Sequence, residues 1–447
     1  MAKQPKKAPV DDGGDPLYDE LPKVPHQDSP ARAAKNVSAN KDDAAMAAIA
    51  MRKRFEGAPI DEGSADPLID TGIGVDIPDY QDSYARPTAP KTIEDDFAGG
   101  ETHSAIRMAF IGAGQGGGRI AQAFWDMGYR RVCVCNTTSQ DMESLTIPNK
   151  LVIGNDRGGA GKDPEEGKLA AQESYEDLMD MMMRSFGEGV EHVYICVGSG
   201  GGSGTGSWPI LLDAAREYAK NTNVEKPFGK HLGVIMSLPK RSEGSRVQKN
   251  AHMAITDALG KLSRGLISSL VIVDNAKIHE LFPGLAVKQF WTVANRNFAV
   301  VLHTFNLLAA KDSSYNTFDR ADLRSVVQNG LMVFGMTRVE RWEGKEDISK
   351  SVRQNLKGTL LADGFDLSKA NMAGAIVLAH DEILSQIPME NIDYAFLMLG
   401  RALGNEGITL HNGIYESKGQ VSMRVFTIIS GLESPQARID ELSQLAR

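Results

Sequence analysis

The sequence predicts an α/β fold: a parallel sheet covered by helices on both faces, a long connecting helix, and a smaller second α/β domain. Three observations carry this expectation. Short apolar runs alternate with helical stretches from Ile106 to Asn275, the signature of repeated βαβ units. The runs are apolar almost throughout rather than alternating with polar residues, as in strands buried on both faces. Finally, Ala286–Ala310 contains neither Gly nor Pro, which suits an uninterrupted helix of roughly 35–40 Å.

The elements follow in order. IRMAFIGAG (Ile106–Gly114) is a buried strand entering a tight glycine turn, and RIAQAFWDMG from Arg119 is helical. RVCVCN (Arg131–Asn136) and KLVIG (Lys150–Gly154) are the second and third strands. A helix is predicted from Pro164 to about Phe186, because Pro is preorganised for a first turn and the adjacent acids complement the helix dipole. HVYICVG (His192–Gly198), HLGVIMSLP (His231–Pro239) and SLVIVDN (Ser269–Asn275) are further strands, with helices at Pro209–Ala219 and Glu243–Leu262 between them. After the long helix, Leu323–Gln328, LMVFGMTRV, Ser349–Leu356, AGAIVLAH, Ile392–Leu403 and QVSMRVFTIIS make up the smaller domain.

Composition divides the 447 residues unevenly. The first 100 hold 11 of the 19 prolines, no Trp and no Cys, and contribute −7 of the net charge of −9. Such a segment buries too little apolar surface to offset its ordering entropy, so a disordered acidic tail is expected. Within it, Ala44–Phe55 has the capping and charge pattern of a short helix, and Asp66–Tyr80 spaces apolar residues with acids. The expected organisation is a tail over 1–103, a nucleotide domain over 104–285, a central helix over 286–311, a second domain over 312–433 and a short tail over 434–447.

Several classes are excluded. No apolar run is long enough to span a bilayer, so no direct membrane insertion is expected. The basic N-terminus lacks an apolar core for a secretory signal. Cys133, Cys135 and Cys196 sit in strand-like runs, which suits reduced core thiols and a cytoplasmic location. The nine histidines show no metal-ligand spacing, so no protein metal site is expected. Net acidity argues against nucleic acid as a partner.

The chemistry concentrates at glycine-rich strand ends. GAGQGGGR (Gly112–Arg119) lies between a strand and a helix, where backbone N–H groups and the helix N-terminus favour phosphate. It contains G-x-G-x-x-G, so a dinucleotide-binding oxidoreductase using NAD is an alternative. That reading expects an acid at the end of the second strand, where this chain has Asn136. GSGGGSGTGSWP (Gly198–Pro209) is a second candidate cradle, with Ser203 and Thr205 as extra donors. Six glycines at one strand end are costly unless backbone must approach something closely. GGAGKD (Gly158–Asp163) has the Gly-Lys pair of a P-loop, but Asp163 stands where Ser or Thr should bind Mg²⁺.

GGGSGTG (Gly200–Gly206) resembles the GGGTGTG signature of the tubulin/FtsZ superfamily with one Thr→Ser change. The likeness extends over about residues 105–432. IGAGQGGGR resembles the first nucleotide loop, NTTSQDMESL the NTDAQAL segment, and GGAGKDPEEGKLAAQES the loop facing the γ-phosphate. IVDNAKIHELF and DRADLRSVVQNGLMVFG resemble two later family segments in the same order.

The resemblance implies binding of GTP/GDP, with Mg²⁺, by a chain that polymerises with itself head to tail. It implies nucleotide contacts from Gly114, Gln115, Gly116, Gly117, Asn136, Gly159, Ala160, Gly161, Gly200, Gly201, Gly202, Ser203, Gly204, Thr205 and Gly206. Trp291 and Asn295 are four apart and share a helix face. They resemble the base-stacking aromatic and the base-bonding Asn/Asp, and Asn275 resembles a second base contact; read from the residues alone, Trp291 equally suits the core. Glu243 aligns with the ribose segment, while Arg246 comes one residue early. Asp319 and Asp322 resemble the acidic pair that a docking subunit supplies for hydrolysis. Read from the residues alone, the pair equally suits N-capping of a helix.

The implied role is a GTPase of a cell-division-like or DNA- or virion-positioning filament, with an adaptor bound through the N-terminal tail. The alternative is a non-catalytic, nucleotide-dependent assembly scaffold of the same fold.

Overall fold

The computed structural model describes residues 104–222, 226–281, 287–358, 364–404, 408–417 and 421–447. The expected disordered tail over 1–103, with its helix-patterned stretch at Ala44–Phe55, lies outside the described residues. In chain order, β1 (Met108–Ala113) leads into α1 (Gly114–Asp126), β2 (Val132–Asn136) and β3 (Lys150–Val152). Helices α2 (Pro164–Glu173) and α3 (Tyr175–Phe186) precede β4 (His192–Gly198) and α4 (Gly202–Asn221). Then come β5 (Leu232–Leu238), α5 (Ser245–Ser263), β6 (Ser269–Asp274), α6 (Asn275–Leu281) and α7 (Val287–Leu308). The remainder comprises α8 (Arg320–Val327), β7 (Gly330–Val339), α9 (Asp347–Gly358), β8 (Met372–His380), α10 (Asp381–Leu384) and α11 (Met389–Ala402). Strands β9 (Thr409–Ser417) and β10 (Met423–Leu432) and helix α12 (Gln436–Leu445) complete it.

Among the described residues, ten strands form one sheet in the order β3-β2-β1-β4-β5-β6-β7-β10-β8-β9. β3 through β7 are mutually parallel, β10 is antiparallel to β7 and β8, and β9 is parallel to β8. The expected second domain therefore continues the first sheet through the β6–β7 pairing. β1 is buried at every position and β4 at all but Gly198, which explains their unbroken apolar sequence.

Helix α7 is the spacer between the two edges of the sheet. It begins beyond α6, which follows the C-terminal end of β6. At its far end Asn306 meets Ile106, just before β1 begins: Asn306 Oδ1 accepts from Ile106 N at 2.7 Å and Nδ2 donates to Ile106 O at 3.0 Å. Its 22 residues span roughly 33 Å. Phe298 and Phe305 anchor it in the core against Phe124 and Phe318, with ring centroids 6.0 and 5.2 Å apart.

Four features differ from expectation. The helix foreseen over Pro164–Phe186 breaks at Ser174, whose buried Oγ accepts from Gly154 N at 3.0 Å. Serine readily offers the backbone such an alternative partner. Helix α4 starts at Gly202, seven residues before Pro209, so the proline sits inside it. β9 was not foreseen, because TLHNGIYES carries few apolar residues. Residues 434–447, expected as a short tail, carry α12, whose Arg438 is buried and pairs with Asp274 at 2.7 Å.

Candidate functional site

The order β3-β2-β1-β4-β5-β6 places a topological switch point between β1 and β4. In open parallel sheets ligands bind outside the strand C-termini at such a point. Both glycine segments lie there, and most of their residues form the first turns of α1 and α4. Backbone N–H groups at two helix N-termini thus face one crevice, an arrangement suited to an anion.

The glycines divide into two groups. Gly114 has φ +67°, and a Cβ there would lie 2.7 Å from the Gly204 nitrogen. Added atoms on Gly116, Gly117, Gly202, Gly204 and Gly206 would strike, respectively, Gly198, Cys196, Asp163, Ala113 and Pro164. Gly200 would meet the Val247 side chain. These positions let α1 lie on β4 and α4 lie on α2. Gly201, Gly159 and Gly161 instead meet nothing within 4 Å. Of the six glycines from Gly198 to Gly206, five are therefore required by packing, a tighter explanation than ligand approach alone.

Side chains knit the segments together. Thr137 Oγ1 and Ser203 Oγ are 2.6 Å apart. Asp141 accepts from Gln115 Nε2 at 3.0 Å and from Asn136 Nδ2 at 3.1 Å. Asn250 Nδ2 donates to the carbonyls of Lys162 and Gly200 at 3.0 and 3.2 Å, joining the Gly159–Gly161 loop to the α4 start. Arg246 pairs with Asp163 at 3.3 Å, while Asp163 also caps α2 by accepting from Glu165 N at 3.0 Å. Thr205 was foreseen as a phosphate donor, but its buried hydroxyl donates to Ser199 O at 2.6 Å. Asp141, Asp163 and Asn250 were missed as organisers of the site. Asp141 lies in a segment with a legible motif, whereas nothing in the sequence singles out Asn250.

The other expected residues lie on α5, α6, α7 and the turn before α5. Glu243 accepts from Lys240 N at 2.9 Å in the β5–α5 turn. Asn275 opens α6 and is buried, as is Asn295 on α7. Trp291 lies on α7, and its side chain is outside the described residues.

Asp319 and Asp322 lie at the opposite edge of the sheet. Arg320 and Arg324, beside them on α8, both donate to Glu191, the residue before β4. Burial would raise the Glu191 carboxyl, but hydrogen bonds from Arg320 and Arg107 hold it below the usual range. Asp319 and Asp322 form a capping box. Asp319 Oδ1 accepts from Ala321 N and Asp322 N at 2.7 and 2.9 Å, and Asp322 Oδ2 accepts from Asp319 N at 3.1 Å.

Among the described residues, no group of three or more His, Cys, Asp or Glu side chains is placed to hold a metal ion. Nor is any described helix long and apolar enough to cross a membrane.

Two family models match in tandem. "Tubulin/FtsZ family, GTPase domain" matches residues 107–283, and "Tubulin/FtsZ-like protein TubZ-like, C-terminal domain" matches 304–443. The chain belongs to the tubulin/FtsZ superfamily. Cell division protein FtsZ 1 of Pyrococcus woesei is 25% identical over 335 residues, covering 73% of this chain and 83% of that protein. The GTPγS-form TubZ protofilament of Bacillus thuringiensis serovar israelensis superposes with a TM-score of 0.64 at 19% identity, covering 78% and 93% of the chains. The GTPγS-bound CetZ2 protofilament of Haloferax volcanii gives 0.61 at 20% identity, covering 76% and 97%. This tubulin/FtsZ membership places the chain among GTP-binding proteins of the filament-forming cytoskeleton and sets aside the NAD-dependent reading of Gly112–Gly117.

Proposed function

We propose that this chain is a GTPase that assembles head to tail, each nucleotide site being completed by the next subunit. One observation carries the reading. The glycine cradle lies at the C-terminal edge of the parallel strands and the Asp319–Asp322 pair at the N-terminal edge. The seven residues of β4 alone separate these edges by roughly 20 Å. The two carboxylates cannot reach the cradle of their own chain, but stacking one subunit on another brings unlike edges together. Such a heterologous contact propagates into a filament.

In this mechanism the N-termini of α1 and α4 hold the phosphates, with Gly201, Gly159 and Gly161 leaving room for backbone approach. Asn275, Asn295 and Trp291 receive the guanine base, and Glu243 and Arg246 border the ribose. Asp319 and Asp322 of the docking subunit orient and polarise the attacking water. Magnesium suits the crevice, because it takes most ligands from phosphate oxygens and water and needs only one or two protein donors. Asp141 and Ser203, now bonded to Gln115, Asn136 and Thr137, would be its protein donors, and the ion would neutralise phosphate charge. The buried thiols fit a cytoplasmic location. The acidic residues 1–103 are the proposed site for an adaptor.

The test is GTP turnover against protein concentration, with electron microscopy alongside. A steep threshold accompanied by filaments is expected, and Asp322→Asn should bind GTP without turning it over. Turnover per subunit independent of concentration would exclude completion in trans. The capping box gives both aspartates a structural duty, which favours the non-catalytic scaffold as a second reading. Tight GTP binding and filaments without phosphate release would establish that alternative.

A further inference from the structure

Strand β9 moulds the loop that carries the two aspartates. His411, Gly413 and Tyr415 alternate along it and so share one face. Tyr415 Oη accepts from Phe318 N at 3.1 Å and donates to Phe318 O at 2.9 Å, fixing the residue before Asp319 at both backbone groups. Gly413 has no side chain where Phe318 passes: a Cβ there would lie 2.9 Å from the Phe318 nitrogen. His411 Nδ1 stands 2.6 Å from Asp322 Oδ1. The Phe318 ring meets the His411 ring edge-on, centroids 6.4 Å apart.

The consequence for Asp322 is specific. Its Oδ2 accepts the Asp319 N–H and its Oδ1 faces His411 Nδ1, so the carboxylate is gripped at both oxygens. A carboxylate only accepts, so Nδ1 carries the proton in this pair. His411 Nε2 is buried with no hydrogen-bond partner.

We propose that His411 is a positioning residue for hydrolysis in trans: its Nδ1–H fixes the orientation of Asp322 toward the nucleotide held by the neighbouring subunit. The inference rests on the function proposed above. His411 acts through Asp322.

The test compares His411→Asn, His411→Gln and His411→Leu with the parent and with Asp322→Asn. Each full-length chain is assayed for polymer mass by sedimentation and for GTP turnover per polymerised subunit. Asn can place an amide N–H where Nδ1 stands, and should keep kcat within about twofold. Gln places its amide further out and Leu offers none, so both should lose about tenfold in kcat with KM within about twofold. Should Leu fail to fold, the Asn–Gln pair still decides. Gln or Leu turning over at the parental rate, Asn failing as badly as Gln, or losses that merely track polymer mass would each overturn the inference. A parental rate in Asp322→Asn would instead defeat the underlying function.

Discussion

Asn306 and Ile106 are 200 residues apart in sequence, yet the Asn306 amide both accepts from and donates to the Ile106 backbone at 2.7 and 3.0 Å. The same amide donates to Tyr129 Oη at 3.1 Å. This buried clasp fixes the far end of α7 to the entrance of β1, and so sets where Asp319 stands relative to the sheet. Asn306→Ala leaves a buried N–H and C=O without side-chain partners, which costs about 2–4 kcal/mol. A lowered denaturation midpoint is expected, together with a turnover loss larger than the loss of GTP binding. Urea titration and nucleotide-binding measurements on the same variant check both.

The glycines make a sharper prediction. Gly206→Ala drives a methyl group into the Pro164 carbonyl oxygen, where α4 crosses α2 backbone to backbone. Gly201→Ala places the same group in open space. The first variant should be destabilised by several kcal/mol or fail to fold, as overpacking between rigid backbones predicts. Thermal melts should leave the second close to the parent, with its GTP affinity reduced. Equal stability of the two would contradict the packing assignment.

Burial makes the stability sensitive to acid. His192 is pushed down to about 3 and His303 to about 4, both by desolvation, from an ordinary 6.5. The folded chain therefore keeps both neutral while the unfolded chain protonates them near pH 6.5. Stability is full above that pH and falls as pH drops toward 4. Each group contributes a slope of up to about 1.4 kcal/mol per pH unit. Urea midpoints measured at pH 7.5 and 5.5 should differ accordingly, and His303→Leu should show a shallower dependence.

The strands β1, β2 and β4 to β6 were legible because burial on both faces leaves a continuous apolar run, as in His192–Val197. The cradle was legible because close backbone approach selects glycine, whether the approaching atom belongs to a ligand or to Pro164. Helix starts were misjudged for the same reason: glycine reads as loop, yet Gly202–Gly206 are the first turn of α4. β9 escaped notice because its face serves Phe318 and Asp322 through His411, Gly413 and Tyr415 rather than through apolar packing. Partnerships such as His411 with Asp322, or Asn250 with Lys162, join residues 88 or 89 apart. Neither periodicity nor local motif encodes such distant pairings.

Separation of cradle and aspartates onto opposite edges makes their cooperation testable by mixing. Asp322→Asn keeps an intact cradle but carries a disabled edge. Gly201→Glu keeps an intact edge; a Cβ at Gly201 meets nothing within 4 Å, and a carboxylate at the start of α4 should repel phosphate. Neither variant alone should turn over GTP. In a one-to-one copolymer with random neighbours, roughly a quarter of contacts join a working cradle to a working edge. Turnover should therefore return to about a quarter of the parental rate per polymerised subunit. Sedimentation of both variants together establishes that they have mixed. A copolymer that stays silent would mean that cradle and aspartates do not meet across the subunit contact.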